Sequence, residues 1–168
     1  MANIRPATIS DVEALVRVHH AAVHGPGPST FYTQNILHSW SPSSTDEFRL
    51  NRLQQALDDS EKLLLVAELG DKAMIVGFGS VVPSKQEIRA IYVDPMFAHQ
   101  GIGSQILRNL EDLALRHSAE ELYLDASLNA EKFYCRHGYL VIERGIHRLN
   151  SGNDMDCIKM YKNLRSQR

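Results

Sequence analysis

The sequence predicts one mixed α/β domain with elements in the order βααα–βββ–α–β–α–ββ. Three observations predict it. In the first third, Val12, Leu15, Val16, His19, Ala22 and Val23 recur at the i, i+3, i+4, i+7 spacing of an amphipathic helix. The middle third switches to short β-rich runs whose connections are too short for crossovers, which makes an antiparallel meander. A helix over residues 101–117, with Ile102, Ile106, Leu107, Leu110, Leu113 and Ala114 on one face, then separates the meander from a further strand.

Each element has a local reason. Residues 3–6 read as a short strand. Ser10 with Glu13 reads as a capping box opening the first helix, and GPGPS at 25–29 stops it. The aromatic-bearing segment 30–40 reads as a short helix. Ser41-Pro42-Ser43-Ser44 breaks the chain, and Ser44 with Glu47 makes a second box for a helix carrying Phe48, Leu50, Leu53 and Leu57. Strands follow at 62–69, 73–83 and 86–93, the first two joined at Gly70-Asp71. After the long helix come a buried strand at 121–126 and a helix at 127–137 with Gly138 as its C′ residue. Strands at 139–149 and 154–162 flank a turn at Ser151-Gly152-Asn153.

Composition narrows the function. The 168 residues suit one domain with a real core, and 43% hydrophobic content is that of a globular protein. A net charge of -2 argues against a nucleic-acid partner held by bulk electrostatics. Two cysteines, Cys135 and Cys157, make neither a disulfide framework nor a zinc spacing, and the eight histidines show no metal-ligand pattern. No metal is expected. The first residues, MANIRPATIS, lack an apolar leader, and no run approaches the roughly 18 apolar residues of a membrane span. The expectation is a cytoplasmic protein with no membrane partner.

The chemistry concentrates in IYVDPMFAHQGIGSQIL, residues 91–107. Two glycines open a helix there. A helix N-terminus is electropositive, and its free N–H groups bind phosphate when glycine lets the ligand approach. The plain alternative is that Gly101 and Gly103 only make a turn and let the helix pack. A dinucleotide-binding fold is a third reading, with Asp125 as the ribose carboxylate. Against it, Ile106 replaces the third glycine and the 94–100 loop is long for a tight first turn. A P-loop is excluded because no Gly-Lys-Ser/Thr follows.

Val93-Asp94-Pro95, followed by Ala98-His99-Gln100-Gly101-Ile102-Gly103, resembles the first signature of the GNAT superfamily of acetyl-CoA-dependent N-acetyltransferases, Val-x-Pro and then R/Q-x-x-G-x-G/A. Ala130-Glu131-Lys132-Phe133-Tyr134-Cys135-Arg136-His137-Gly138-Tyr139 is similar to their second, A-x-x-F/L-Y-x-x-x-G-F. The two stand in the right order, and the element order agrees over essentially the whole chain. There are two departures. Ala98 takes the R/Q position, and Ser127 stands where asparagine is common, with Asn129 beside the motif alanine instead.

The resemblance implies a GNAT fold, α/β (α+β), with a central mixed, mostly antiparallel twisted sheet flanked by helices. It implies acetyl-CoA as cosubstrate and an amine acceptor, and it leaves homodimerisation open. The strand before the loop should splay from its parallel neighbour. Backbone groups of Ile91, Tyr92 and Val93 would then hold pantetheine, and Ala98, His99, Gln100, Gly101, Ile102, Gly103 and Ser104 would cradle the pyrophosphate. Asn129 or Ser127 would touch the cofactor. Tyr134 matches the family's tyrosine and would also protonate the departing thiolate; otherwise it is a packed helix tyrosine. Glu87 matches a glutamate that serves some members as base, on the face of Val93 by period two if no bulge intervenes; otherwise it is a solvated charge. Tyr32, Trp40 and His147 are candidates for the acceptor wall, beside Phe31, His38 and Phe48, with core packing or a surface position as the alternative. Asp125 is expected to cap the following helix. A non-catalytic acyl-CoA sensor on the same fold would instead have a closed acceptor cleft.

Overall fold

The computed structural model describes residues 1–42 and 47–165. Strand β1 (Asn3–Pro6) leads through a 3-10 turn into α1 (Val12–Val23), followed by α2 (Pro26–Phe31), α3 (Gln34–Trp40) and α4 (Glu47–Asp58). The meander is β2 (Leu63–Leu69), β3 (Met74–Val82) and β4 (Glu87–Val93). Then come α5 (Ile102–Arg116), β5 (Glu121–Ser127), α6 (Glu131–Arg136), β6 (Leu140–Arg148) and β7 (Asp154–Asn163). The seven strands form one sheet in the order β1-β2-β3-β4-β5-β7-β6, antiparallel throughout except for β4 beside β5. This is the mixed, mostly antiparallel sheet expected. It is not the doubly wound parallel sheet of a dinucleotide-binding domain. Among the described residues no helix is long and apolar enough to cross a membrane.

The helical region departs from expectation for local reasons. GPGPS stops α1 but also starts α2, with Gly25 at the N-cap and Pro26 at the first helical position, where a missing N–H costs nothing. The segment expected as one helix at 30–40 breaks at Tyr32-Thr33, where the Thr33 hydroxyl accepts from Ile36 N at 3.4 Å. The capping pair before α1 is Thr8 and Asp11, not Ser10 and Glu13. Asp11 Oδ2 accepts from Thr8 N at 2.7 Å while the same carboxylate takes both Arg5 Nη1 (2.7 Å) and Nη2 (2.9 Å). The bidentate arginine fixes which acid turns inward. The Ser44 box, with its serine among residues 43–46, lies outside the described residues.

Helices cover both faces of the sheet. On one, Ile102, Ile106, Leu107, Leu110 and Ala114 of α5 pack on Leu65, Ala67, Val76 and Val81. A side chain at Gly77 or Gly79 of β3 would stand 3.0 or 2.7 Å from Ile106, so these glycines let α5 lie directly on the strand. On the other face, Leu15 and Val18 of α1 pack on Leu64, Val66, Ile75 and Phe78, with Leu53 and Leu57 of α4 beside them.

The junction of β4 and β5 positions the site. Their only register pair is Glu87 with Tyr123. Gln86, in a left-handed conformation at φ 52°, clamps that end. Its carbonyl accepts from Tyr123 N at 2.8 Å, and its Oε1 accepts from Glu120 N and Glu121 N, both at 3.3 Å. Beyond this clamp the strands part.

The Arg5 hydrogen bond, assisted by Thr8, holds the Asp11 carboxyl at about 2. A depressed folded pKa gives stability that is complete above the unfolded value of about 3.9 and is lost as pH falls through about 2. Asp11→Asn should therefore cost on the order of 1–2 kcal/mol near neutral pH. The gap between wild type and variant should close as unfolding is followed down to acid pH. A gap that persists there would show that Asp11 stabilises as a neutral hydrogen-bond acceptor.

Candidate active site

The parted strands enclose a cavity of about 80 Å³. Ile91 and Tyr92 line one side, Asp125 to Ser127 the other, and Ala130 and Tyr134 close it. Asp94 N donates to Val76 O at 2.8 Å, so by period two Tyr92 also turns its backbone toward β3. Ile91 and Val93 turn theirs toward β5, into the gap, where no strand pairs with them. Tyr134 is buried against Phe133 and Tyr139, with ring centroids 5.0 and 5.5 Å away. Burial pushes its phenol well above the ordinary value, so it keeps its proton at neutral pH. Cys157 also lines the gap, and burial pushes its thiol up to about 11. A neutral thiol is a poor nucleophile.

At the mouth of the gap the chain turns at Asp94, whose Oδ1 accepts from Met96 N at 3.0 Å and whose Oδ2 meets Arg17 Nη1 at 3.2 Å. His99 and Gly101 take left-handed conformations at φ 61° and 80°. The first bond of α5 runs from Gln105 N to Gly101 O at 3.0 Å, which leaves the amides of Ile102, Gly103 and Ser104 as the unpaired donors of a helix start. Gly101 is glycine for its φ. Gly103 has a second reason, since a side chain there would sit 3.4 Å from the Phe133 ring.

On the α1 face a second cavity of about 430 Å³ opens. Trp40, Arg89, Ala90, Tyr92 and His147 line both cavities, so the gap leads into it. Its inner wall is aromatic. Trp40 Nε1 donates to Tyr92 Oη at 3.1 Å, and the His19 ring stands edge-on to Tyr92 at 4.5 Å. Burial, with Arg49 beside it, pulls the His19 imidazole down to about 3, so it is neutral. His147 Nδ1 meets Asp125 Oδ2 at 2.9 Å, and Lys159 Nζ takes Asp125 Oδ1 at 3.2 Å. The His147 bond and then Lys159 hold the Asp125 carboxyl below its ordinary range. The arrangement fixes the ring and leaves Nε2 as its second nitrogen.

The acetyltransferase (GNAT) domain profile matches residues 32–160. The chain belongs to the GNAT acetyltransferase family. A GCN5-related N-acetyltransferase from Rhodopseudomonas palustris superposes with a TM-score of 0.83 at 25% identity, over 97% of this chain and 96% of that one. PaiA N-acetyltransferase from Thermoplasma acidophilum, solved with coenzyme A, gives 0.75 at 19% identity, over 97% and 99%. YncA from Salmonella typhimurium, solved with its cofactor acetyl-CoA, gives 0.68 at 21%, over 98% and 94%. No curated protein sequence matches this chain.

In this GNAT structure, Trp40 and His147 stand where gap and cavity meet, and Tyr134 lines the gap. Six expectations need correction. Tyr92, expected to offer its backbone to the cofactor arm, turns it toward β3. The Ala98 amide donates to Pro95 O at 3.3 Å and so belongs to the turn before the loop. Ser127, not Asn129, lines the gap; Asn129 lies against Gly27, where an added side chain would meet its Nδ2 at 3.3 Å. Asp125 does not cap α6 but holds His147. Glu87 does not share the face of Val93, because the register shifts between Ser80 and Val81 and leaves Arg89 as an extra residue. Past that bulge Glu87 falls on the face of Ala90 and Tyr92, at the clamped end. It is ion-paired to Arg89 at 3.4 Å and lines neither cavity. Tyr32 lines neither cavity either; its hydroxyl donates to Asp156 O at 2.7 Å and accepts from Leu128 N at 2.8 Å. Of the other aromatics in that region, Phe48 lines the larger cavity, while Phe31 and His38 do not.

Tyr32→Phe removes both of those bonds and leaves Leu128 N and Asp156 O without the hydroxyl. We expect a loss on the order of 1–3 kcal/mol in urea unfolding. An unchanged midpoint would mean that water replaces the hydroxyl, and that the α2–α3 corner does not depend on it.

Proposed function

We propose that this GNAT chain transfers the acetyl group of acetyl-CoA to a primary amine, by direct transfer in a ternary complex. One observation carries the reading: a strand gap with unpaired backbone opens, through five shared residues, into a second and larger cavity. Acetyl-CoA, bound in the gap, supplies an activated acetyl thioester. Backbone groups of Ile91 and Val93 would hold its arm, with one N–H polarising the carbonyl. The amides of Ile102, Gly103 and Ser104, with the positive end of α5, would hold its phosphates. That PaiA was solved with coenzyme A and YncA with acetyl-CoA supports acetyl-CoA as the ligand.

His147 is the base in this reading. Its Nε2 takes the amine proton as the new C–N bond forms, and Asp125 orients the ring and stabilises its cation. Tyr134 gives its proton to the sulfur as the C–S bond breaks, and regains it from solvent. Glu87 is set aside as base because it is engaged with Arg89 outside both cavities. A cysteine relay is disfavoured by the raised Cys157. The open acceptor cavity favours an enzyme over an acyl-CoA sensor.

Acetyl-CoA should raise the melting temperature and NADH should not, since only a ligand of the folded state stabilises it. An amine panel read by released thiol then tests transfer itself. Absence of both stabilisation and turnover would end the reading.

Tyr134→Phe should lower kcat by ~10²–10⁴-fold with acetyl-CoA affinity nearly unchanged. His147→Gln should lower the rate near neutral pH, with recovery at higher pH as the amine deprotonates unaided. A variant whose pH–rate profile overlays the wild type would remove His147 from proton transfer.

A further inference from the structure

The larger cavity carries a cationic wall, which reaches the gap only at Arg89. Arg49, Arg52, Lys62 and Arg89 line it, and among the described residues no aspartate or glutamate does. The chain as a whole carries a net charge of -2, so this concentration is local rather than compositional. Two of the four have visible employment: Arg89 pairs with Glu87 at 3.4 Å, and Arg49 meets His19. Arg52 lies over the Phe48 ring at 5.9 Å, which holds it flat against the wall.

Lys62 is the telling residue. It sits half-buried at the start of β2, and among the described residues no carboxylate lies within ion-pair distance of its ammonium. Burial, and then the repulsion of Arg89, pull its pKa down; Asp59 and Glu87 oppose this only at longer range. A lysine held among arginines in a partly desolvated wall is a cost to the fold unless an anion completes it.

We propose that the acceptor is a small amine that also carries an anionic group, a carboxylate or a phosphate, which docks on Lys62, Arg52 and Arg89. The inference rests on the acetyl-transfer reading for its amine end. At that end the molecule meets Trp40, Tyr92 and His147. At the other end fixed charge selects the anion and orients the molecule. The cavity, about 430 Å³, is in the range of small-molecule sites. A polyamine would place a second cation against this wall and is rejected by it.

The test uses matched three-carbon amines: 3-aminopropanol, β-alanine, 3-aminopropyl phosphate and 1,3-diaminopropane. Turnover with acetyl-CoA should favour an anionic member over the neutral alcohol by about 10-fold or more in kcat/KM, with the diamine poorest. The better of the two anionic members identifies carboxylate or phosphate as the group recognised. Lys62→Gln and Arg52→Gln should raise KM for the anionic amines toward that of the alcohol, and Lys62→Arg should restore it. Equal or better use of the alcohol or diamine overturns the proposal while leaving acetyl transfer standing. If none of the four amines is acetylated, the anion site is still decided by binding. Thermal stabilisation by β-alanine or 3-aminopropyl phosphate in wild type, lost in Lys62→Gln, supports it, and its absence in wild type overturns it.

Discussion

Gln86 holds the two central strands together at one end only. Its left-handed backbone turns the carbonyl toward Tyr123 while its side chain takes two further amides, so three hydrogen bonds converge on one residue. Everywhere else the sheet is paired along its length, with seven register pairs between β5 and β7 and six between β3 and β4. The opening is therefore confined to one seam. Backbone groups facing a dry seam need partners. A polar, extended ligand that pairs with Ile91 and Val93 as a strand would supply them, which is the role proposed for the arm of acetyl-CoA.

The far end is kept open by contacts that cross long stretches of chain. Arg17 of α1 reaches both Asp94 Oδ2 and Ile75 O, the latter at 2.7 Å, and so ties the strand end to a helix on the α1 face. Tyr32 bridges the β5–α6 junction to β7. Ser39 joins α3 to the β6–β7 turn through Ser151 and Asn153, each at 2.6 Å. These ties place the aromatic and histidine side chains of the α1–α3 region over the gap rather than beside it.

Charge is divided along the site. The start of α5 offers unpaired amides and the positive end of a helix dipole. In the middle, burial holds the proton on Tyr134 and Cys157 and keeps it off His19, while the paired Asp125 also lines the gap. The outer wall is cationic. Burial around Tyr134 strengthens electrostatic interactions at that end of the gap. It also opposes protonation of an amine held there.

Much of this was legible from local pattern. The apolar stripe of α5, the two glycines at its start, and the Phe133-Tyr134 pair followed by Gly138 at φ 84° are short-range features, and they pointed to the start of α5 and to Tyr134, which lines the gap. By itself, then, the sequence determined the element order from the meander onward and the residues at the start of α5, while it missed α2. Other assignments depended on register and strand order. One extra residue at Arg89 moves Glu87 to the opposite face, because side chains alternate with period two and a bulge inverts every residue beyond it. His147 meets Asp125 only because β7 lies between β5 and β6 and brings residues 22 apart in sequence across two strand spacings. The cationic wall is gathered from α4, β4 and the residue before β2. Tertiary structure decided these, because periodicity is set by a residue's near neighbours whereas a pocket is set by which distant segments the sheet brings side by side.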